Sequence, residues 1–487
     1  SAMKVLLVTG RMAESQVRAF AGEADVLVAD VDVASFITPQ MLLSAAPQGY
    51  DLIMIPGAIT ADFREAERAL GAKIRLGPKH AADLKVVLHH IAKEKIELSR
   101  TVPACQLLEG NMREQAQGEV ERLEAGAGAP LRIRGVKIGG SSRMKVLAEI
   151  VDATRLPPSA LAEKVRYYEE QGADMIDLGI PLDAHPCQVK AALQTAKKAT
   201  NLPLSIDTIR PELILAGLEA GADLLLSLNA GNLPLVGDAV ARALVPAVII
   251  PGPGSISFEE NLKRAMEAGI SVIADPVLDP PMQGLVFSLQ RYLLFCQDHP
   301  DIPLFFGAGN VTELIDADTV GVNALLAAIA AETGASILFT PEYSSKAAGS
   351  VHELALASRM MLLSRQRRSP PKDLGLDLII LKEKRRLPEE AMPETFLEAK
   401  EDHKYEPDGR GSCRIYLSRG MILAQNGPAT VAGRNARDIL NTLIERDLVS
   451  RLDHVGYLGR ELEKAEIALR LKRNYVQDEP LWSSEKR

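Results

Sequence analysis

Eight short apolar runs recur through the middle of the chain, at residues 144–150, 174–180, 202–207, 222–229, 246–251, 270–276, 302–307 and 335–340. Amphipathic stretches separate them, among them 159–172, 211–221, 258–269 and 284–299. Runs this short and this uniformly apolar are the pattern of parallel strands buried on both faces. Several of the intervening stretches close on a glycine turn, as in Glu170-Gln-Gly-Ala173, Glu219-Ala-Gly-Ala222 and Glu267-Ala-Gly-Ile270. Glycine tolerates the left-handed backbone that ends a helix. Eight strand–helix repeats predict an α/β fold with a central (β/α)8 TIM barrel over 143–365.

Ahead of the barrel, residues 4–10 (KVLLVTG), 24–31 (ADVLVADV) and 51–57 (DLIMIPG) repeat a strand pattern with helical stretches between them. They predict an N-terminal α/β domain over 1–130. Its first strand ends in Gly10, yet the glycine spacing matches neither GxGxxG nor a P-loop, so an accessory domain is favoured over a nucleotide site. Residues 111–142 read as a boundary, with linker composition at 124–130 (EAGAGAP) and a second break at 139–142 (GGSS). After residue 365 the pattern is interrupted by 366–371 (QRRSPP) and the charged stretch 382–407. Strands at 413–418 and 421–425 and helices near 436–445 and 457–471 predict a smaller C-terminal α+β domain over 372–487.

Composition narrows the function classes. The hydrophobic share is 47% and the charged share 25%, enough apolar material for real cores and against long-range disorder. A formal net charge of −8 argues against a sequence-independent grip on nucleic acid, which needs a basic surface. The four cysteines, Cys105, Cys187, Cys296 and Cys413, form no CxxC pair, which fits a reducing compartment. No apolar stretch reaches the ~20 residues of a membrane helix, and the start Ser1-Ala2-Met3-Lys4 lacks signal-peptide anatomy. The expected setting is the cytoplasm, with no membrane and no nucleic-acid partner.

In such a barrel the reaction site lies at the carboxyl ends of the strands. Five of those ends carry a carboxylate or carboxamide: Asp152, Asp207, Asn229, Asp275 and Asn310. One such residue would be read as a helix cap, but five at one rim suit a flat, nitrogen-rich heterocycle. A carboxylate accepts two parallel hydrogen bonds from an amino group and an adjacent ring N–H, and an Asn both donates and accepts.

The segment 202–208 (LPLSIDT), followed by 218–229 (LEAGADLLLSLN), resembles a block of the pterin-binding barrel shared by dihydropteroate synthases and corrinoid-linked methyltetrahydrofolate methyltransferases. Residues 172–179 (GADMIDLG) are similar to another. The resemblance covers 143–365. With 10–14 (GRMAE), 35–39 (SFITP) and 452–466 (LDHVGYLGRELEKAE), the whole arrangement resembles the archaeal-type dihydropteroate synthase-related proteins of tetrahydromethanopterin biosynthesis.

The resemblance implies a transferase of the alkyl(aryl) type that joins a dihydropterin-methyl diphosphate to an arylamine, with release of diphosphate. The amine is p-aminobenzoate or a ribofuranosyl-aminobenzene phosphate. It assigns the pterin to Asp207, Asn229, Asp275 and Asn310, with Asp152, Asp207 and Asn310 as the catalytic set. Asp152 stands where synthases have an Asn beside magnesium, which implies Mg2+ on Asp152. Thr154 is implied to sit with the diphosphate; Ser344, Ser345 and Lys346, in a strand-eight loop of the kind that often binds phosphate in barrels, are candidates for the phosphate cradle, and Arg155 or Arg210 are candidates to meet a phosphate on the amine.

Two departures qualify the match. Segment 307–312 (GAGNVT) is similar to the methyltransferase motif rather than the synthase Ser-Arg-Lys, and the strand-eight Arg-x-His is replaced by 339–346 (FTPEYSSK). Glu149 matches only the methyltransferase pattern. The alternatives are therefore a pterin-dependent methyltransferase acting with a corrinoid protein, or a non-catalytic pterin-binding subunit. The 452–466 stretch places Asp453, Tyr457, Arg460 and Glu461 on one helix face beside His454, either a contact surface or a salt-bridged helix. A homodimer is expected.

Overall fold

The computed structural model describes residues 3–93, 96–384, 392–399 and 406–482. Alternation along the first strands dictates how the N-terminal unit is built. Strands β1 (Val5–Thr9), β2 (Asp25–Val28), β3 (Leu52–Ile55) and β4 (Lys73–Leu76) form a parallel sheet in the order β2-β1-β3-β4. Leu6, Val8, Ile53, Ile55, Ile74 and Leu76 pack on one face with Ile37, Leu42 and Phe63. Leu7, Leu52 and Met54 pack on the other with Val17, Val87 and Ile91. Period-two side chains thus fill two cores, one under each helical layer. A Cβ on Gly10 would lie 2.6 Å from the Asp32 carbonyl oxygen and 2.9 Å from the Ala34 nitrogen. The glycine is set by that close backbone crossing and not by a ligand loop.

The stretch read as a boundary is ordered. Residues Ala104–Gly126 form one 23-residue helix. Its only buried side chains are Ala104, Ala116 and Val120, so its apolar stripe is too thin to register in composition. Next comes a hairpin of β5 (Leu131–Ile133) and β6 (Val136–Ile138).

The barrel is closed and wholly parallel. Its strands are β7 (Lys145–Ile150), β8 (Met175–Gly179), β9 (Leu204–Asp207), β10 (Leu224–Leu228), β11 (Ala247–Ile249), β12 (Val272–Ala274), β13 (Leu304–Phe306) and β14 (Ala335–Pro341). They neighbour one another in sequence order, and β14 pairs with β7 to close the ring. All eight predicted runs are strands. Inside, Leu147, Met175, Leu224, Leu226, Val248, Ile273, Phe305 and Ile337 form one apolar cluster with Ile133 and Ile138 of the hairpin. Ile133 and Ile138 are almost completely buried. The hairpin is therefore a floor that plugs the amino end of the barrel.

The C-terminal sheet is an antiparallel meander of β15 (Cys413–Ser418), β16 (Met421–Asn426) and β17 (Ala429–Gly433), the last of which the sequence reading did not pick out. Ile415, Ile422 and Ala424 pack on Ile439, Leu443, Leu458, Leu462 and Ala465 from helices Ala436–Glu445 and Leu452–Arg470. The polar face at 453–461 is stitched to its own chain. Tyr457 donates to Asp478 at 2.7 Å, Tyr475 donates to the buried Glu461 at 2.9 Å, and His454 Nδ1 lies 2.9 Å from Asp408. Asp453 pairs with Arg451 at 3.0 Å. Among the described residues, no helix is long and apolar enough to cross a membrane.

Candidate functional site

Strand pairing brings the acids together. Glu149 on β7 is in register with Asp177 on β8, Asp177 with Ser205 on β9, and Gly179 with Asp207. Glu149 lies two residues beyond Leu147, and Asp177 two beyond Met175, both in the interior cluster. Period two keeps each acid pointing inward, one layer above that apolar plug. One oxygen from each of Glu149, Asp177 and Asp207 falls within 4.8 Å of the others. No Lys or Arg pairs with any of the three among the described residues. Asp177 is fully buried; the Ser205 hydroxyl donates to its Oδ1, and its Oδ2 has no hydrogen-bond partner.

Desolvation dominates their titration. Burial, then the charges of Asp207, Asp152 and Glu313, push Glu149 up to about 8. Burial and the charge of Asp275 push Asp207 up to about 7. Burial and the charges of Asp207 and Glu149 push Asp177 well above the carboxylate range. Asp275, after β12, is pushed by burial up to about 6 against the opposing pull of Val277, Tyr292 and Arg291.

Asp275 is held rigidly. The Val277 N–H and the fully buried Tyr292 hydroxyl meet its Oδ1 at 2.8 and 2.9 Å. Val277 takes φ +67°, an unfavourable backbone for a β-branched residue, and that turn aims its N–H at the carboxylate. Arg291 secures the same loop through the Val277 carbonyl at 2.8 Å and Asp279 at 2.9 Å. Asn229, after β10, is buried, and its Oδ1 accepts from the N–H groups of Gly231 and Asn232 at 2.8 and 3.2 Å. Its amide nitrogen has no hydrogen-bond partner among the described residues.

The remaining predicted residues are held by neighbours of their own. Asp152 takes a left-handed φ of +51° and pairs with Arg155 at 3.2 Å, which also reaches Asp183 at 2.8 Å. Thr154 follows in the short 3-10 helix Ala153–Arg155. Asn310 is exposed, and its Nδ2 donates to the Leu278 carbonyl at 2.8 Å. Arg210 is bound to Glu212 and to the Leu182 carbonyl. After β14, the Ser344 N–H donates to Glu313 at 3.1 Å while its Oγ is buried without a partner. Ser345 is exposed, and Lys346 is held by the Ile315 carbonyl and by Asp316 at 3.2 Å. Sequence reasoning placed Asp177 only inside a motif and gave it no role. Its charge within an otherwise apolar strand, two residues from Met175, was the available signal.

The raised acids fix the sign of a pH effect. Each binds its proton more tightly in the folded chain than at the ordinary values of 4.5 or 3.8, so folding takes up protons between those limits. Stability is therefore expected to fall as pH rises from about 5 to about 8, with little further loss above the highest folded value. Thermal melts in chelator-treated buffer check this. Asp207→Asn should flatten the slope, and an unchanged slope would show that the cluster does not titrate as a unit.

Comparison with known proteins places this geometry in context. Residues 403–478 match the family model described as PterinBD-DUF4346. The chain is 36% identical, over 98% of its own length and 98% of the other, to "Uncharacterized protein MJ0107" of Methanocaldococcus jannaschii. Among solved structures, the Yersinia pestis dihydropteroate synthase with a sulfonamide drug complex is 19% identical over 49% of this chain and 99% of its own, with a TM-score of 0.39. The Xanthomonas albilineans dihydropteroate synthase in complex with 7,8-dihydropteroate is 24% identical over 47% and 94%, with a TM-score of 0.37. On that full-length relationship, the chain belongs to the same family as the Methanocaldococcus protein, with a PterinBD-DUF4346 segment at residues 403–478.

Proposed function

We propose that this chain is a transferase of the dihydropteroate synthase type, joining a dihydropterin-methyl diphosphate to an arylamine in folate or tetrahydromethanopterin biosynthesis. The observation that carries the reading is the placement of Asp207, Asn229 and Asp275 at the carboxyl ends of β9, β10 and β12 of one barrel, above a sealed floor. Two carboxylates and a free amide nitrogen match the donors and acceptors along a pterin edge. The PterinBD-DUF4346 match and the small-molecule complexes of the synthases named above are in keeping with it.

In this reading the amine nitrogen attacks the exposed methylene. The carbon–oxygen bond to diphosphate breaks with its electron pair on the leaving group, and the new ammonium loses a proton to solvent. The ring stabilises the developing positive charge, so the protein has to orient and neutralise rather than supply a nucleophile. Asp207, Asn229 and Asp275 would hold the ring, and Asn310 would border it. Asp152 and Thr154 offer hard oxygen donors suited to Mg2+, which would supply charge neutralisation for the diphosphate. Arg155, already beside Asp152, adds fixed positive charge there, and Ser344, Ser345 and Lys346 would complete the phosphate side.

Incubating the protein with magnesium, the dihydropterin diphosphate and each amine should yield coupled product with one of them. Absence of product with both amines would remove the synthase reading. Glu149, drawn into the acid cluster, favours methyl transfer as the second reading. Demethylation of a methylated pterin by a corrinoid protein would then take the place of coupling.

A further inference from the structure

The cluster beneath the proposed ring site is chemically incomplete. Glu149, Asp177 and Asp207 place three carboxylate oxygens within 4.8 Å of one another, with no cationic side chain paired to any of them among the described residues. An anion buried without a counter-charge is costly. Asp177 is the sharpest case. It has no solvent exposure, its Oδ1 is satisfied by Ser205, and its Oδ2 has no hydrogen-bond partner.

A second, independent observation lies across β8. A Cβ on Gly179 would sit 2.7 Å from Glu149 Oε1. A side chain there would push the carboxylate aside, so the glycine leaves the Glu149 carboxylate its place over β8. The fold keeps room for this acid to lean over β8 toward the other two.

We propose that Glu149, Asp177 and Asp207 form a site for a hard divalent cation at the floor of the barrel mouth, separate from any metal that accompanies a diphosphate at Asp152. The donor set is all oxygen, which selects the magnesium, manganese and calcium class over softer metals. Oxygens all within 4.8 Å of one another can close on one hard cation, at roughly 2.1–2.6 Å each, with a modest inward movement of the side chains. In place of the protons that burial favours on these acids, the ion supplies the counter-charge, and it leaves one oxygen of Asp207 for a ligand above. The site does not depend on the transferase reading, because it is complete without a pterin.

The test uses the full chain, treated with chelator and titrated with Mn2+ alone, without pterin or diphosphate. Paramagnetic resonance of free Mn2+ should report one saturable site, displaced by Mg2+ or Ca2+. Asp177→Asn and Glu149→Gln should each weaken it by at least about tenfold, whereas Asp152→Asn and Asp275→Asn should leave it within about twofold. Circular dichroism checks that each variant is folded. If Asp177→Asn unfolds, Glu149→Gln carries the comparison. No saturable Mn2+ binding by the wild-type chain would overturn the proposal. So would loss on Asp152→Asn with retention in Asp177→Asn or Glu149→Gln. A chain that binds Mn2+ but couples no amine would keep this site and lose only the synthase reading.

Discussion

Asp275→Asn is expected to weaken binding of a dihydropterin by on the order of 100-fold or more, since two hydrogen bonds to a charged acceptor at ~1.5–3 kcal/mol each are at stake. The substituted amide can keep its oxygen on the Val277 N–H and the Tyr292 hydroxyl. Its nitrogen then points a donor where the ligand also presents donors, so the loss is repulsion as well as missing attraction. Stability should move the other way. Burial already pushes Asp275 up to about 6, so removing its charge relieves a cost instead of creating one. Calorimetric titration with a dihydropterin, set beside a thermal melt, checks both halves. Unchanged affinity in a folded variant would mean that the ring lies elsewhere.

Ile138→Ala should cost roughly 2–5 kcal/mol of stability, the usual range for emptying a fully buried aliphatic site. Ile138 has no solvent exposure and belongs to the same cluster as Leu147, Leu226, Val248 and Ile337. The cavity would open under the barrel, where closed strands cannot collapse inward to fill it. Ile138→Val should cost only about 0.5–1.5 kcal/mol. Chemical denaturation of the two variants gives the comparison. A negligible loss for both would mean that the hairpin is a tether and not a plug.

The barrel was legible because its strands are hidden on both faces, which leaves uninterrupted apolar runs that chain composition records directly. The rim followed from the same runs, since Asp207, Asn229 and Asp275 stand where they stop. What escaped were features that local pattern does not carry. The hairpin that includes Ile133 and Ile138 is only a few residues a strand, and its glycine flanks read as a linker. The helix Ala104–Gly126 buries three side chains and therefore looks polar all round. Asp177 was hidden for a subtler reason. In a strand buried on both sides there is no polar alternation to say which residues face the axis, so its inward direction emerges only from the pairing with Glu149 and Ser205. Lys346 shows what local pattern leaves out about a residue's surroundings. A lone lysine after strand eight looks free for phosphate, whereas folding ties it to the Ile315 carbonyl and Asp316.

The plugged amino end also has a kinetic consequence. With one way in and the same way out, anything that settles on the deepest acids must arrive before whatever covers them and depart after it. In the proposed two-substrate reaction, such a cul-de-sac would impose a compulsory sequence, with the outermost guest as the cork.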